Sequence, residues 1–209
     1  MIKVILCDDH AMVRRGIRDT ISEAVDIQVV GEAGSYPELR EQLRKSPCDV
    51  LVLDLNMPGR GGLEVLAALR EEGSPVKTLV VSMYPEDQYA IRCLRAGARG
   101  YLNKAGDPAE LVQAIRVVMQ GRKYVTPAVA EMLVDTLNAP ETEELHASLS
   151  ERELQTLQKI ASGKKLSDIA EELMLSPKTV SVYRARVLEK LHLANNAELT
   201  VYAIRNGIV

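Results

Sequence analysis

The sequence lacks two of the three large aromatic residues and has few cysteines. Phenylalanine and tryptophan are absent from its 209 residues, so the core must be aliphatic with a few tyrosines. The three cysteines, Cys7, Cys48 and Cys93, are odd in number and fit no metal-binding spacing. This usage argues against a disulfide framework and is typical of reduced, buried thiols in an intracellular protein.

Long apolar runs are also missing, since none approaches the ~20 residues that a membrane span needs. No signal-peptide pattern opens the chain, because the charged residues Lys3 and Asp8 come too early. We therefore expect a cytoplasmic protein with no membrane partner. Its length suits two small domains better than one.

The charge of the chain is unevenly distributed. The formal net charge is −3, but residues 148–209 hold nine Lys or Arg against seven Asp or Glu, a net charge of +2. Residues 1–147 hold 17 against 22, a net charge of −5. A mildly basic C-terminal part on an acidic body weakly favours a polyanion-binding module at that end.

The first 121 residues alternate between strand and helix patterns. Most of the strand patterns are near-continuous aliphatic runs, typical of parallel strands that are buried on both faces. They cover 3–8, 27–33, 49–54, 77–83 and 99–102, and the helical patterns cover 11–25, 35–46, 62–71, 86–96 and 107–121. Five such units predict an α/β fold with a five-stranded, parallel, doubly wound sheet of the flavodoxin-like order 2-1-3-4-5.

The rest of the chain predicts a linker and a small all-α domain. Residues 122–147 indicate a linker with a helix at 127–137, followed by an acidic stretch without a hydrophobic period. Residues 148–209 predict four helices, which end near residues 161, 174, 191 and 205. Ser150 and Glu153 have the spacing of a capping box at the start of the first of these helices. A tight turn between Met174 and Ser176 indicates a helix-turn-helix.

Four charged residues and a serine lie at the ends of predicted strands. Asp8 and Asp9 follow the first strand, Asp54 follows the third, Ser82 closes the fourth and Lys104 follows the fifth. Because the carboxyl ends of parallel strands share one edge, we expect these side chains to meet in one acidic pocket with a lysine beside it. A single carboxylate at such a place often only caps a helix, but all five positions together favour a site.

This pocket predicts a Mg²⁺ site that supports phosphoryl transfer. Asp9 and Asp54 would each give one carboxylate oxygen, Asp8 would bind directly or through water, and the backbone carbonyl of Asn56 would complete the protein ligands. Asp54 would then attack a phosphoryl group while the ion neutralises charge. The serine and the lysine are natural donors to the other phosphoryl oxygens. We expect His10 at the pocket rim rather than as a catalytic base.

The helix predicted at 177–191 has two distinct faces. At 100° per residue, Val180, Tyr183, Val187 and Leu191 form a stripe that should pack in a core. The opposite face has small residues in its middle and cations at its edges, which suits close entry into a DNA major groove. That face holds Lys178, Ser181, Val182, Ala185 and Arg186. An ordinary amphipathic helix with a solvated face has the same periodicity.

The residues of the pocket carry a resemblance to a known family. Asp8-Asp9, Asp54-Leu-Asn-Met-Pro-Gly, Ser82 and Tyr101-Leu-Asn-Lys104 resemble the receiver domain of two-component response regulators. The resemblance implies that a sensor histidine kinase donates a phosphoryl group to Asp54 in a Mg²⁺-dependent reaction. It also implies that Ser82 moves to the phosphoryl oxygen and that Tyr101 swings inward behind it as a switch. Such a receiver catalyses only its own phosphorylation and dephosphorylation, so the protein is expected not to be an enzyme.

The C-terminal part resembles the LuxR-type helix-turn-helix domain of the NarL/FixJ class. The matching motifs are Leu149-Ser-Glu-Arg-Glu153, Ile169-Ala170 and Ser176-Pro-Lys-Thr-Val180 with Lys190-Leu191. The resemblance places Ser181, Val182 and Ala185 at base-reading positions. The candidate phosphate contacts that it implies are Lys178, Thr179, Arg184, Arg186 and Lys190.

Together the two parts resemble a response regulator transcription factor, similar to global regulators of the GacA/UvrY kind. The implied partners are a kinase, promoter DNA, a second copy paired through the helix at 195–205 and, as a further candidate, RNA polymerase. Two alternatives stay open: a degenerate receiver on a DNA-binding protein, or a Mg²⁺-dependent phosphatase on an α/β scaffold. Asn56 weakens the second, because an Asp-x-Asp motif starting at Asp54 would support it.

Overall fold

Aliphatic runs build the first part of the structure around a parallel sheet. The computed structural model describes residues 1–138 and 145–209. The strands are β1 (Ile2–Cys7), β2 (Ile27–Ala33), β3 (Val50–Leu53), β4 (Lys77–Ser82) and β5 (Gly100–Asn103). Neighbouring strands are parallel and their order is β2-β1-β3-β4-β5. The predicted five-stranded, doubly wound α/β fold is confirmed.

Five helices alternate with these strands and end within three residues of their predicted ends. They are α1 (Ala11–Ser22), α2 (Tyr36–Lys45), α3 (Gly62–Glu71), α4 (Glu86–Ala96) and α5 (Pro108–Met119). Asp107 caps α5, since its carboxylate accepts the N–H of Ala109 at 2.9 Å, and Pro108 suits the first helical position because it has no N–H to leave unpaired. Gly97 ends α4 in the left-handed conformation, at φ 118°.

Both faces of the sheet are buried, because side chains alternate along each strand. On β1, Val4 and Leu6 belong to a core cluster that also includes residues of α1 and α5. The residues that alternate with them are buried on the opposite face. Tyr89 and Tyr101 are fully buried there without Phe or Trp neighbours, as the composition predicted.

The chain after α5 runs beside the outer edge of the sheet. Tyr124 forms a parallel bridge with Gly100, and its N–H donates to the carbonyl of Arg99 at 2.8 Å. The hydroxyl of Thr126 then donates to the Glu86 carboxylate at 2.6 Å, at the start of α4. Helix α6 (Pro127–Asn138) follows and packs against α4. The helix expected at 127–137 is therefore present, and the acidic part of the predicted linker at 139–144 lies outside the described residues.

The described residues from 145 onward form a helical unit. Leu145–Ser148 form a 3₁₀ turn, where the sequence predicted only linker, and the helices are α7 (Glu151–Ala161), α8 (Leu166–Glu172), α9 (Pro177–Lys190) and α10 (Asn196–Arg205). The chain divides into two compact units, Met1–Ala139 and Pro140–Val209.

Capping side chains and one left-handed residue explain where α7 and α9 begin and where α8 ends. Ser150 and Glu153 form the predicted capping box of α7, a motif worth about 1 kcal/mol. Helix α8 ends two residues before its predicted end because Met174 adopts a left-handed conformation, at φ 52°. Ser176 accepts the N–H of Thr179 at 3.1 Å and so begins α9. The short turn between α8 and α9 is the predicted helix-turn-helix connection.

The helices in the described part of the chain are either too short or too polar to cross a membrane. This finding agrees with the lack of long apolar runs in the sequence.

Two helical glycines differ in the room that a side chain would have at their positions. A Cβ at Gly62 would lie 2.6 Å from the carbonyl oxygen of Asp54 and 2.7 Å from Leu55 Cα. Because both are backbone atoms, we expect Gly62→Ala to lower the free energy of unfolding by about 1–3 kcal/mol. A Cβ at Gly16 in α1 would meet nothing within 4 Å, so Gly16→Ala should raise stability by roughly 0.5–1 kcal/mol.

Urea unfolding of both alanine variants, followed by far-UV circular dichroism, measures this difference. Equal stability of Gly62→Ala and the wild type would contradict the close approach of α3 to β3.

Candidate functional site

Three carboxylates meet at the carboxyl edge of the sheet. The register of β1 and β3 pairs Cys7 with Leu53, so the residues that follow these strands are neighbours. The N–H of Asp54 donates to the Cys7 carbonyl at 2.8 Å. One oxygen from each of Asp8, Asp9 and Asp54 and a ring nitrogen of the adjacent histidine lie within 4.8 Å of one another. The predicted acidic pocket is therefore present in the structure.

Lys104 lies inside this pocket rather than beside it. Its Nζ is 2.6 Å from Asp8 Oδ2 and 2.9 Å from Asp54 Oδ2. The three side chains are 7%, 4% and 2% exposed, respectively, so water screens their charges little. Burial raises the pKa of the Asp54 carboxyl above its usual range, while the ammonium of Lys104 opposes that rise.

The carboxylate oxygens fit a hard divalent cation. Asp8 Oδ2, Asp9 Oδ1 and Asp54 Oδ2 are buried, and their close partners among the described residues are the Lys104 ammonium and the His10 ring. Three carboxylates this close together repel one another unless positive charge lies among them, and Mg²⁺ prefers oxygen ligands of this kind. The donor set suits that ion.

The two oxygens of Asp54 differ in their surroundings. Asp54 Oδ1 accepts the N–H of Leu55 at 2.8 Å, which fixes the orientation of the carboxylate. A backbone hydrogen bond from Asn56 opposes the rise that burial causes in the pKa of Asp54. The use of the Asn56 carbonyl as a metal ligand stays a prediction. Oδ2 is left as the oxygen that faces Lys104.

Ser82 and Tyr101 lie on the neighbouring strands β4 and β5. Ser82 is buried at the end of β4, and its carbonyl accepts the N–H of Lys104 at 2.8 Å. Tyr101 is fully buried in β5, and its hydroxyl donates to the carbonyl of Tyr84 at 2.8 Å. The side chain of Asn103 donates to the same carbonyl at 3.2 Å. The tyrosine that the family resemblance makes a switch is thus inside the fold and tied to the loop after β4.

Two further residues belong to the pocket wall. Arg14 Nη1 donates to the carbonyl of Asp8 at 2.5 Å, and Arg14 Nε lies 3.4 Å from Glu32. The His10 ring lies 2.7 Å from Asp9 and is half exposed, as expected for a residue at the rim. Arg14 was not predicted from the sequence, because its contact with Asp8 depends on how α1 packs against β2.

Helix α9 presents the predicted face to solvent. Val180 and Val187 are fully buried, as the apolar stripe predicted. The residues on the other side are exposed: Lys178, Ser181, Val182, Ala185 and Arg186. This surface combines short side chains with two cations, and neither cation pairs with a carboxylate of a described residue.

Three candidate phosphate contacts already have partners within the second unit. Lys190 Nζ lies 2.7 Å from Glu153 and 3.2 Å from the carbonyl of Ser148. Arg184 Nε donates to Asn196 at 2.5 Å. Thr179 is half-buried and shares a hydrogen bond with Ser176 at the helix start. Lys190 and Arg184 are therefore less available to a ligand than the cations on the exposed face.

The stability of the protein should depend on pH through Asp54. Because its folded pKa is raised, the folded state favours the protonated form, and stability is lost as pH rises from the ordinary carboxyl value through the raised one. Asp54→Asn removes this loss. In metal-free buffer the variant should unfold at a higher temperature than the wild type at pH 8, and the two unfolding temperatures should converge near pH 4.

Asp26→Asn is the matched control. The side chain of Arg116 holds the pKa of this exposed carboxyl below its usual range. The ionised carboxyl therefore stabilises the folded state above that pH range, and this stabilisation is lost on acidification. Calorimetry across pH 4–8 should give differences of opposite sign for the two variants. A lower unfolding temperature for Asp54→Asn at pH 8 would contradict the unfavourable burial of this charge.

Comparisons with known proteins agree with this architecture. A family described as the response regulator receiver domain matches residues 4–116, and one described as bacterial regulatory proteins of the luxR family matches residues 147–203. Response regulator UvrY of Escherichia coli is 41% identical over 209 residues, covering 100% of this chain and 96% of the relative. Response regulator GacA of Pseudomonas protegens is 40% identical and covers 100% and 98%.

Solved structures of the RcsB response regulator, the first of them from Salmonella typhimurium, are also similar. One has a TM-score of 0.65 at 26% identity, with 98% of this chain and 97% of that chain covered. Another, of two RcsB dimers bound to two parallel DNAs, has a TM-score of 0.60 at 27% identity and covers 97% and 98%. With both domain families matched along one chain and relatives at about 40% identity over its whole length, the protein belongs to the response regulators with a LuxR-type DNA-binding domain, which are transcriptional regulators rather than enzymes.

Proposed function

We propose that Asp54 accepts a phosphoryl group from a sensor histidine kinase and that this modification controls promoter binding by the second unit. The observation that carries the proposal is the buried contact of Asp54 Oδ2 with the Lys104 ammonium, at 2.9 Å. A carboxylate oxygen in such a place is held beside a cation that can stabilise the negative charge of an incoming phosphoryl group.

The two carboxylate oxygens of Asp54 have different proposed roles. Oδ1 is oriented by the N–H of Leu55, so Oδ2 is the proposed nucleophile. A new bond forms between Oδ2 and phosphorus as the bond from phosphorus to the donor breaks. Lys104 and the hydroxyl of Ser82 would hold the phosphoryl oxygens.

The proposed cofactor is Mg²⁺. Asp8, Asp9 and Asp54 would hold it with the backbone carbonyl of Asn56, and the clustering of the three carboxylates within 4.8 Å supports this choice. When bound, the ion supplies positive charge that offsets repulsion between the carboxylates and the incoming group. Without the ion, the ammonium of Lys104 offsets the negative charge of Asp8, since its Nζ lies 2.6 Å from Asp8 Oδ2.

The proposed switch links this chemistry to the surface. Ser82 would move toward the phosphoryl oxygen and carry the loop after β4 with it. Tyr101 donates to the carbonyl of Tyr84 in that loop, so its inward position would respond to the same movement. Glu86, two residues further, accepts the hydroxyl of Thr126 before α6. The effect of phosphorylation would thus reach α4 and the chain that leaves the receiver.

The proposed domain boundaries follow the sequence prediction: a receiver at 1–121, a linker at 122–147 and a DNA-binding domain at 148–209. Two domains that act in transcription agree with a cytoplasmic protein whose partners include a kinase and, as a candidate, RNA polymerase.

Helix α9 is the proposed DNA-reading element. Ser181, Val182 and Ala185 would face base edges, and Lys178 and Arg186 would contact phosphates, because these five residues are exposed on one face. Thr179, Arg184 and Lys190 are proposed as weaker contacts, since the structure gives them other partners.

A homodimer on DNA is the proposed assembly. Val201 and Ile204 of α10 are 48% and 62% exposed, which leaves an apolar surface for pairing. Structures of RcsB dimers on DNA, and of RcsB on the promoter rprA with a phosphomimetic, support the same arrangement here.

Phosphorylation of Asp54 can be tested directly. Incubation of the full-length protein with acetyl phosphate and Mg²⁺ should add one phosphoryl group, detected as a mass gain that hydroxylamine removes. Asp54→Asn should abolish the gain. Asp49→Asn should leave it unchanged, because Asp49 lies before β3 and accepts the N–H of Lys3 at 2.8 Å. No mass gain in the wild type would favour a degenerate receiver instead.

The DNA-facing surface can be tested through salt dependence. Lys178→Ala and Arg186→Ala should each weaken duplex binding and each reduce the slope of log affinity against log salt by about 1. Lys45→Ala is the control, because Lys45 belongs to α2 and pairs with Glu41. Fluorescence anisotropy with a duplex of arbitrary sequence suffices, since phosphate contacts do not read sequence. Unchanged slopes for both variants would rule out this face.

A further inference from the structure

A basic groove lies at the amino end of the sheet, opposite the pocket around Asp54. It has a volume of about 610 Å³. Its walls come from the C-terminal ends of α3 and α4 and from the residues that start β4 and β5. Five cations line it: Arg70, Lys77, Arg95, Arg99 and Lys123. No aspartate or glutamate is among its lining residues within the described part of the chain.

Several other exposed cations of the same unit are paired with carboxylates. Arg18 pairs with Glu32 at 2.7 Å, and Lys45 pairs with Glu41 at 2.5 Å. The five cations of the basic groove form no ion pair with a described residue. This concentration of unpaired positive charge stands out because residues 1–147 carry a net charge of −5.

Helix ends explain only part of this charge. The C-terminal ends of α3 and α4 carry a partial negative charge of about −0.5 each. Arg70 Nη1 donates to the carbonyl of Arg95 at 3.0 Å, which satisfies one helix end. Roughly four of the five positive charges remain after both helix ends are neutralised. The groove therefore keeps an excess that suits a multiply charged anion.

The inner wall of the groove is apolar. Leu66, Leu69 and Leu94 line it and are 3%, 5% and 7% exposed. Small-molecule sites typically have volumes of about 300–1,000 Å³ and combine an apolar wall with a few polar groups. A ligand with one flat, weakly polar ring and several anionic groups would match both the wall and the cations.

We propose that the basic groove binds a small polyphosphate ligand of the nucleotide class. Its ring would lie against Leu69 and Leu94, and its phosphates would contact Arg95, Arg99 and Lys123. A concave site of this size favours a small ligand over a nucleic acid duplex, whose backbone needs a longer surface. The groove is made by residues of the first unit alone, and the proposal does not depend on the chemistry of Asp54.

Calorimetric titration of the full-length protein tests this proposal. The probes are ATP, inorganic triphosphate and adenosine, in buffer with EDTA so that no divalent cation links the probe to the acidic pocket. ATP and triphosphate should bind saturably at up to about 1 mM, and their affinity should fall with added salt. ATP should bind more tightly than triphosphate because its ring contacts the apolar wall, and adenosine alone should bind weakest.

The double variant Arg95→Ala/Arg99→Ala should weaken ATP binding by about tenfold or more. The conservative pair Arg95→Lys/Arg99→Lys should keep most of the affinity, which separates lost charge from misfolding. Arg116→Ala is the matched control, because Arg116 is an exposed arginine of the same unit that pairs with Asp26 at 2.7 Å. Asp54→Asn should bind ATP as the wild type does.

Three results would overturn the proposal. The first is no saturable binding of ATP or triphosphate at about 1 mM. The second is equal binding by the wild type and Arg95→Ala/Arg99→Ala with both folded by circular dichroism. The third is loss of duplex DNA affinity in that double variant without any ATP binding, which would assign the basic groove to nucleic acid.

Discussion

A single ammonium group makes the acidic edge of the sheet possible. Asp8 and Asp54 are nearly inaccessible to water and would repel each other if both were charged. Lys104 contacts both, and it reaches them because β5 ends beside β4 and β4 beside β3. The order of the strands therefore brings these three side chains together, and the helices on the two faces of the sheet help to bury them.

The balance of charges in this pocket also makes it responsive. Burial disfavours the ionised form of Asp54 while the lysine favours it, and neither effect cancels the other completely. A group held in this way changes its interactions strongly when a charge is added beside it. A difference of a few kcal/mol is enough to shift an equilibrium between two conformations. The Tyr84 carbonyl accepts hydrogen bonds from Tyr101 and Asn103, and such a shift would change these two bonds.

Hydrophobic period and strand-end chemistry were sufficient to predict the sheet order and the acidic pocket. Continuous aliphatic runs marked the strands, and the residues after them, such as Asp54 and Lys104, then had to share one edge. The rest depends on distances that no local pattern encodes. Gly62 is required by the approach of α3 to the Asp54 carbonyl, and Arg14 reaches Asp8 across a helix turn. Lys190, a candidate phosphate contact by family resemblance, contacts Glu153 in the structure.

The bridge between Gly100 and Tyr124 has a consequence for solubility. Strand β5 is the last strand on its side of the sheet, and an open strand of this kind can recruit strands of other molecules and start aggregation. Tyr124 occupies part of that edge, and it can do so because a Cβ at Gly100 would lie 2.9 Å from the Tyr124 carbonyl. The chain thus leaves less of this strand edge open to fibril growth, because the glycine has no side chain that would displace Tyr124.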